Sequence, residues 1–183
     1  MSESSARFAL KARTAEAHER LDGLFSRFDL ADPAGYADFL RAQSGALWAV
    51  EAALDKAGAA GVLTDWPARR RGDALADDLA RLGIASPASM PFVILPDEAS
   101  VLGAIYVLEG SRLGGAMLVR TVPDTLPKSF LSPRNPLSWR AFVTVIDERL
   151  RSGAALDAAA ESAASVFHTF EASARQILGA DRT

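Results

Sequence analysis

The sequence predicts an all-α fold, a single domain spanning residues 1–183 and built from six main helices. Alanine is abundant and β-branched residues are sparse, which favours helix throughout. Apolar residues recur at spacings of three and four along most of the chain. The stretches so patterned open on Asp or Asn just ahead of proline and close on glycine, the usual start and stop of a helix.

The first helix runs from about Ser5 to Phe25, with Phe8, Ala12, Ala15, Leu21 and Phe25 as its apolar positions. Asp32-Pro33 starts the second, which carries Tyr36, Phe39, Leu40, Gln43, Leu47, Val50 and Leu54 to about Ala57; Gly58 and Gly61 end it. Asp65-Trp66-Pro67 starts the third, marked by Leu75, Leu79 and Leu82 and stopped by Gly83. Residues 84–97 hold three prolines and read as a connector, with Phe92-Val-Ile-Leu95 as an apolar loop packed on the bundle. A glycine-rich fourth helix begins near Asp97 or Glu98 and ends by Val122-Pro123. After a proline-rich loop over 123–136, Asn135-Pro136 opens a fifth helix with Leu137, Trp139, Phe142, Val143, Ile146 and Leu150. The last helix, about 155–178, carries Leu156, Ala163, Val166, Phe167, Phe170, Ile177 and Leu178.

Composition excludes whole classes of function. Without cysteine there is no disulfide, thiolate metal site or cysteine nucleophile. A net charge of −3 gives no electrostatic case for nucleic acid or a membrane surface. The first residues lack the apolar core of a secretory signal, and no apolar run approaches the roughly 18 residues of a membrane span. A cytoplasmic protein is the expectation.

The fourth helix places Gly103, Gly110, Gly114 and Gly115 where helix formers belong. Each interior glycine costs roughly 1 kcal/mol against alanine, so something must offset roughly 3–4 kcal/mol. Gly110 and Gly114 share one face, with Gly115 beside them. Such a bare face serves either close helix–helix packing or a flat ligand lying against the backbone. The motif by itself leaves both open.

His18 is the histidine with a patterned surrounding. Its own face of the first helix carries Lys11, Thr14, Ala15 and Asp22. Asp22, four residues on, can take the proton of one imidazole nitrogen, which fixes the tautomer and raises the basicity of the other towards a metal. Lys11 lies two turns earlier, roughly 10 Å along the axis, about the reach from a haem iron to the carboxylates at its edge. The remaining candidates read as structure. His168, between Phe167 and Phe170, is packing or surface; Asp77–Asp78 and Asp147–Glu148 are solvated faces; Arg69-Arg70-Arg71 is a solvated cluster that at most touches a partner. Ser111 lacks the strand–turn–helix setting of a nucleophile elbow, Glu109 points away from the glycine face into a salt bridge, and Trp48, Trp66 and Trp139 are core or interface residues.

A histidine on one helix and a bare backbone on another are what a haem held between two helices requires. Here the chain resembles the bacterial haem oxygenases, especially those found beside bacteriophytochromes. The resemblance rests on Thr14-Ala-Glu-Ala-His18-Glu-Arg-Leu-Asp22 and on Tyr106-Val-Leu-Glu-Gly110-Ser-Arg-Leu-Gly114-Gly115, about 90 residues apart. It implies a haem oxygenase-like helical bundle with haem between the first, proximal helix and the glycine-rich distal helix. His18 then matches the iron ligand, Asp22 the carboxylate that orients it and Lys11 the partner of a propionate, with Thr14 in the same haem-binding motif. Gly110 and Gly114 match the distal glycines that leave room for dioxygen, and Gly115 belongs with them. Ser111 stands where mammalian members carry an aspartate that anchors distal waters; its hydroxyl is placed to hold a water instead. The implied reaction cleaves haem, at once substrate and cofactor, to biliverdin, CO and ferrous iron. It uses O2 and electrons from a ferredoxin or flavoprotein reductase, and the biliverdin is expected to serve a bacteriophytochrome. Arg140 is a further candidate for the propionates. Two alternatives stay open: a haem-binding or haem-sensing protein that does not turn over, and a bundle whose glycines only pack helices.

Overall fold

The computed structural model describes residues 5–93, 97–132 and 138–180, and among these there are helices but no strand. The helices are α1 (Ala6–Phe25), α2 (Pro33–Lys56), α3 (Ala59–Val62), α4 (Trp66–Arg69), α5 (Gly72–Arg81), α6 (Glu98–Leu118), α7 (Trp139–Arg149) and α8 (Gly153–Ala180). Their ends follow local chemistry. Asp32 accepts from the Gly35 N–H at 2.9 Å ahead of Pro33, and Asp97 accepts from the Ser100 N–H at 2.9 Å. Gly58 closes α2 at φ +78, a conformation that costs glycine nothing. Ser138 caps α7 through the Ala141 N–H; Asn135-Pro136 and Leu137, expected in that start, lie outside the described residues.

α8 is the post of the bundle, packed against α1, α2 and α6. The crossing with α6 is close because Gly103 sits there: a Cβ at that position would run into the Ala159 carbonyl. Ser162 Oγ donates to the Ser100 carbonyl at 2.7 Å, and Ser173 Oγ to the Ala42 carbonyl at 2.7 Å, where α8 meets α6 and α2. Gly103→Ala is therefore expected to destabilise the protein by about 1–3 kcal/mol, since backbone rather than a side-chain tip must give way. Urea unfolding checks it, and an unchanged midpoint would contradict so close a crossing.

Four sequence expectations change. The third helix is broken into α4 and α5 because the buried Glu51 carboxylate accepts the Arg71 N–H at 2.7 Å and the Gly72 N–H at 3.2 Å, restarting the helix there. In α1 the residues packed inward are Ala6, Leu10, Thr14 and Ala17, while Phe8 is 57% exposed. The expected stripe fails because Ala15, Leu21 and Phe25 face a cavity, which is apolar in sequence as a core face is. Asp78 is fully buried, not solvated, and accepts the N–H groups of Ser129 and Phe130. Finally, α6 is long and apolar enough to cross a membrane by length and composition, with mean hydropathy 1.2 over its best window; 56% of that window is buried in the bundle. The first half of the helix is packed inside the bundle, and its second half borders the surface. Of the apolar connector, Phe92 packs on the core and Val93 is exposed, while Ile94 and Leu95 lie outside the described residues.

Candidate functional site

A cavity of about 650 Å³ opens between α1 and α6, within the size range of small-molecule and cofactor sites. α1 lines it with one stripe: Arg7, Lys11, Thr14, Ala15, His18, Asp22 and Phe25. α6 faces it with Tyr106, Gly110, Ser111, Gly114, Gly115 and Leu118. Eight of the nine residues singled out in the sequence for haem, iron or catalysis thus meet at one cavity. Arg140 is exposed and absent from its lining.

Buried charges set the rotation of α6. Glu109 accepts from Arg69 Nη1 at 2.6 Å and from Arg112 Nη2 at 3.0 Å, and Asp65 holds Arg69 from the other side. With Glu109 and Arg112 turned to α4, Gly110 and Gly114 lie roughly 100–160° round the helix from them. A Cβ built at either glycine meets nothing within 4 Å. Among the described residues, these two glycines border open space and pack against no helix. Gly115 differs, since its Cβ would meet Leu131 Cδ2 at 3.3 Å.

On α1, His18 Nδ1 lies 3.0 Å from Asp22 Oδ2, leaving Nε2 as the nitrogen free for another partner. Its ring meets the edge of Phe167 with centroids 5.8 Å apart. The start of α1 is tied to α7 by Asp147, which accepts from Ser5 Oγ and the Arg7 N–H. That tether fixes the cationic end of the stripe, where the Arg7 guanidinium lies 5.9 Å from the Trp139 ring centre. Thr14, 3% exposed, spends its hydroxyl proton on the Leu10 carbonyl at 2.8 Å. Burial pushes the Tyr106 hydroxyl up, and Arg7 and Thr14 beside it draw it back.

Ser111 Oγ donates to the Leu108 carbonyl at 2.8 Å and accepts from Arg71 Nη2 at 2.6 Å. Its proton is committed, so the hydroxyl offers the cavity an acceptor and no donor. The donor there is Arg71, which the sequence reading left in solvent. Arg71 is 8% exposed, also donates to the Leu108 carbonyl, and lies with its guanidinium 4.9 Å from the centre of the Phe130 ring. Burial and the neighbouring Arg112 push its pKa down to about 10, so it stays charged at neutral pH.

Arg7 and Phe25 were legible, since they extend the Lys11–His18–Asp22 stripe by one turn at each end. Arg71 and Phe130 reach the cavity from other elements and left no periodic signal.

No family model matches the chain. A haem oxygenase of Xanthomonas campestris pv. campestris (strain 8004) is 36% identical over 112 residues, covering 57% of this chain and 67% of that protein. The chain belongs to the haem oxygenase family. The crystallised haem oxygenase of Neisseria meningitidis, studied with NO and CO bound, superposes with a TM-score of 0.82 over 97% of this chain and 94% of that one. At 24% identity that likeness speaks for the haem oxygenase fold. Membership makes the protein an enzyme of haem degradation, with haem as its substrate.

The cavity fits that substrate on its own terms. The bare cradle at Gly110 and Gly114 admits a flat face, a histidine with one nitrogen engaged looks in from α1, and two cations on the same stripe suit peripheral carboxylates.

Proposed function

We propose that this haem oxygenase cleaves haem to biliverdin, CO and ferrous iron, using O2 and electrons from a separate donor protein. The observation that carries the reading is the open backbone at Gly110 and Gly114 on the same cavity as His18. Bound haem would supply the redox-active iron that activates dioxygen, along with the macrocycle that is cleaved. His18 Nε2 is the proposed iron ligand. Asp22 takes the Nδ1 proton, fixing the tautomer. A neutral imidazole, unlike a thiolate, does not push electron density towards early O–O cleavage.

Lys11 and Arg7 pair with the carboxylates at one end of the stripe. Gly110 and Gly114 leave the other haem face uncovered, so that small ligands and water reach it. Arg71 points hydrogen-bond donors at this side, and Ser111, with its own proton committed, serves as an acceptor for a water. Proton delivery on the distal side is thus assigned to water held by Arg71 and Ser111. A ferredoxin or flavoprotein reductase as donor and a bacteriophytochrome as recipient of the biliverdin are carried by the sequence resemblance alone, and a cytoplasmic setting by the sequence pattern of the chain.

The test is haem titration of the purified protein, then reductant with catalase under air. Soret bleaching with the growth of biliverdin absorption is the expected result. A haem complex that survives these conditions overturns the cleavage reading in favour of a haem carrier or sensor.

A further inference from the structure

Beside the glycine face, the loop after α6 carries Phe130 and Leu131 into the cavity wall. Its course is set by buried groups. Both oxygens of Asp78, on α5, are engaged: Oδ1 by the Ser129 N–H at 3.0 Å and Oδ2 by the Phe130 N–H at 2.8 Å. One turn back along the loop, the Tyr36 hydroxyl of α2 donates to the Pro127 carbonyl at 2.9 Å, and Lys128 Nζ donates to the Val122 carbonyl at 3.2 Å. Asp78 is fully buried, and among the described residues no charged side chain bonds it. A carboxylate is spent there on two loop amides, so the position of residues 129–130 is strongly specified.

What that position fixes is a ring. Phe130, 3% exposed, sets its face 4.9 Å from the Arg71 guanidinium carbon. Arg71 itself is held by its backbone N–H on Glu51 and by one nitrogen, Nη2, on Leu108 and Ser111. An arginine anchored by one nitrogen can swivel about it. A ring stacked on the guanidinium removes that freedom and excludes water from one side. α5 therefore works as a jig: Glu51 grips the chain at its start, and Asp78 towards its end grips the loop whose ring covers the same arginine.

We infer that Phe130, held in place by Asp78, is a positioning residue that fixes the Arg71 guanidinium towards the open face of the cavity. The inference rests on the distal role proposed above for Arg71, and the two can fail separately.

Two measurements test it. In the haem-free protein, exchange of the Arg71 guanidinium protons, followed by 15N NMR, is expected to speed up at least about fivefold in Phe130→Leu and to stay as in wild type in Phe130→Tyr, which keeps the ring. In the ferric haem complex, fluoride is the probe, because a bound fluoride accepts hydrogen bonds from a nearby donor. Its affinity is expected to fall about tenfold in Arg71→Met and about fivefold in Phe130→Leu. Asp78→Asn is expected to act in the same direction without touching the ring. Fluoride affinity lowered by Arg71→Met but unmoved by Phe130→Leu, with guanidinium exchange also unmoved, overturns this inference alone. Fluoride affinity unmoved by Arg71→Met overturns the distal role on which it rests.

Discussion

Replacing His18 with alanine is expected to lower haem cleavage by about 100-fold or more, with little change in stability. Losing even a residue that only orients a metal-bound histidine costs about 10–100-fold, and losing the ligand itself should cost at least as much. The fold should tolerate the change. The His18 side chain is 61% exposed, meets the edge of Phe167 and otherwise pairs with the similarly exposed Asp22 on its own helix, and substitutions at such surfaces usually stay within about 0.5 kcal/mol. Haem titration should show the Soret band of the complex lost or shifted, while the thermal unfolding of the haem-free protein matches wild type. Asp22→Asn should fall between, because the imidazole remains and loses the carboxylate 3.0 Å away that orients it. An unaltered Soret band in His18→Ala would remove this residue from the iron.

The distal glycines should respond in the opposite sense from Gly103. At Gly110 and Gly114 a methyl group enters open space, so alanine should raise the stability of the haem-free protein by about 0.5–1 kcal/mol at each position, the ordinary helix preference over glycine. Haem binding should pay for that gain. Leucine at Gly114 projects a branched side chain into the cradle and is expected to weaken haem affinity by more than about tenfold while the protein stays folded. Urea unfolding and Soret titration of the same variants separate the two effects. Should Gly110→Ala and Gly114→Ala destabilise the protein as Gly103→Ala does, the glycines pack helices and the cradle reading fails. Three glycines of one helix would then share a purpose that the structure divides between them.

Much of this was legible in the sequence, for reasons that particular residues illustrate. Helix starts at Asp32-Pro33 and Asp97 follow from local capping, which needs only neighbouring residues. Lys11, His18 and Asp22 could be grouped because a helix turns their spacing into one face, and Gly110 with Gly114 likewise. What stayed hidden are pairings across the chain. Asp78 meets Phe130 at a separation of 52 residues, Arg71 meets Ser111 at 40, and Glu51 meets Arg71 at 20. Charged residues are read as solvated by default, since burying one is costly without a partner, and the partner cannot be seen from spacing. The inward stripe of α1 was misplaced for a related reason. Apolar residues that line a cavity and apolar residues packed on a helix carry the same pattern.

The central place of α8 has a consequence for how the protein comes into being. Both walls of the cavity, α1 and α6, lean on a helix that is synthesised after them. While the ribosome is still making residues 153–180, α1 has emerged but lacks the surface against which it docks, and its contact with α8 must close a loop of well over a hundred residues. Contacts of such long separation slow folding and leave apolar faces uncovered in the meantime. The pocket is thus assembled only once α8 has been made, rather than along the way. A chain that has not yet reached α8 holds no finished cavity.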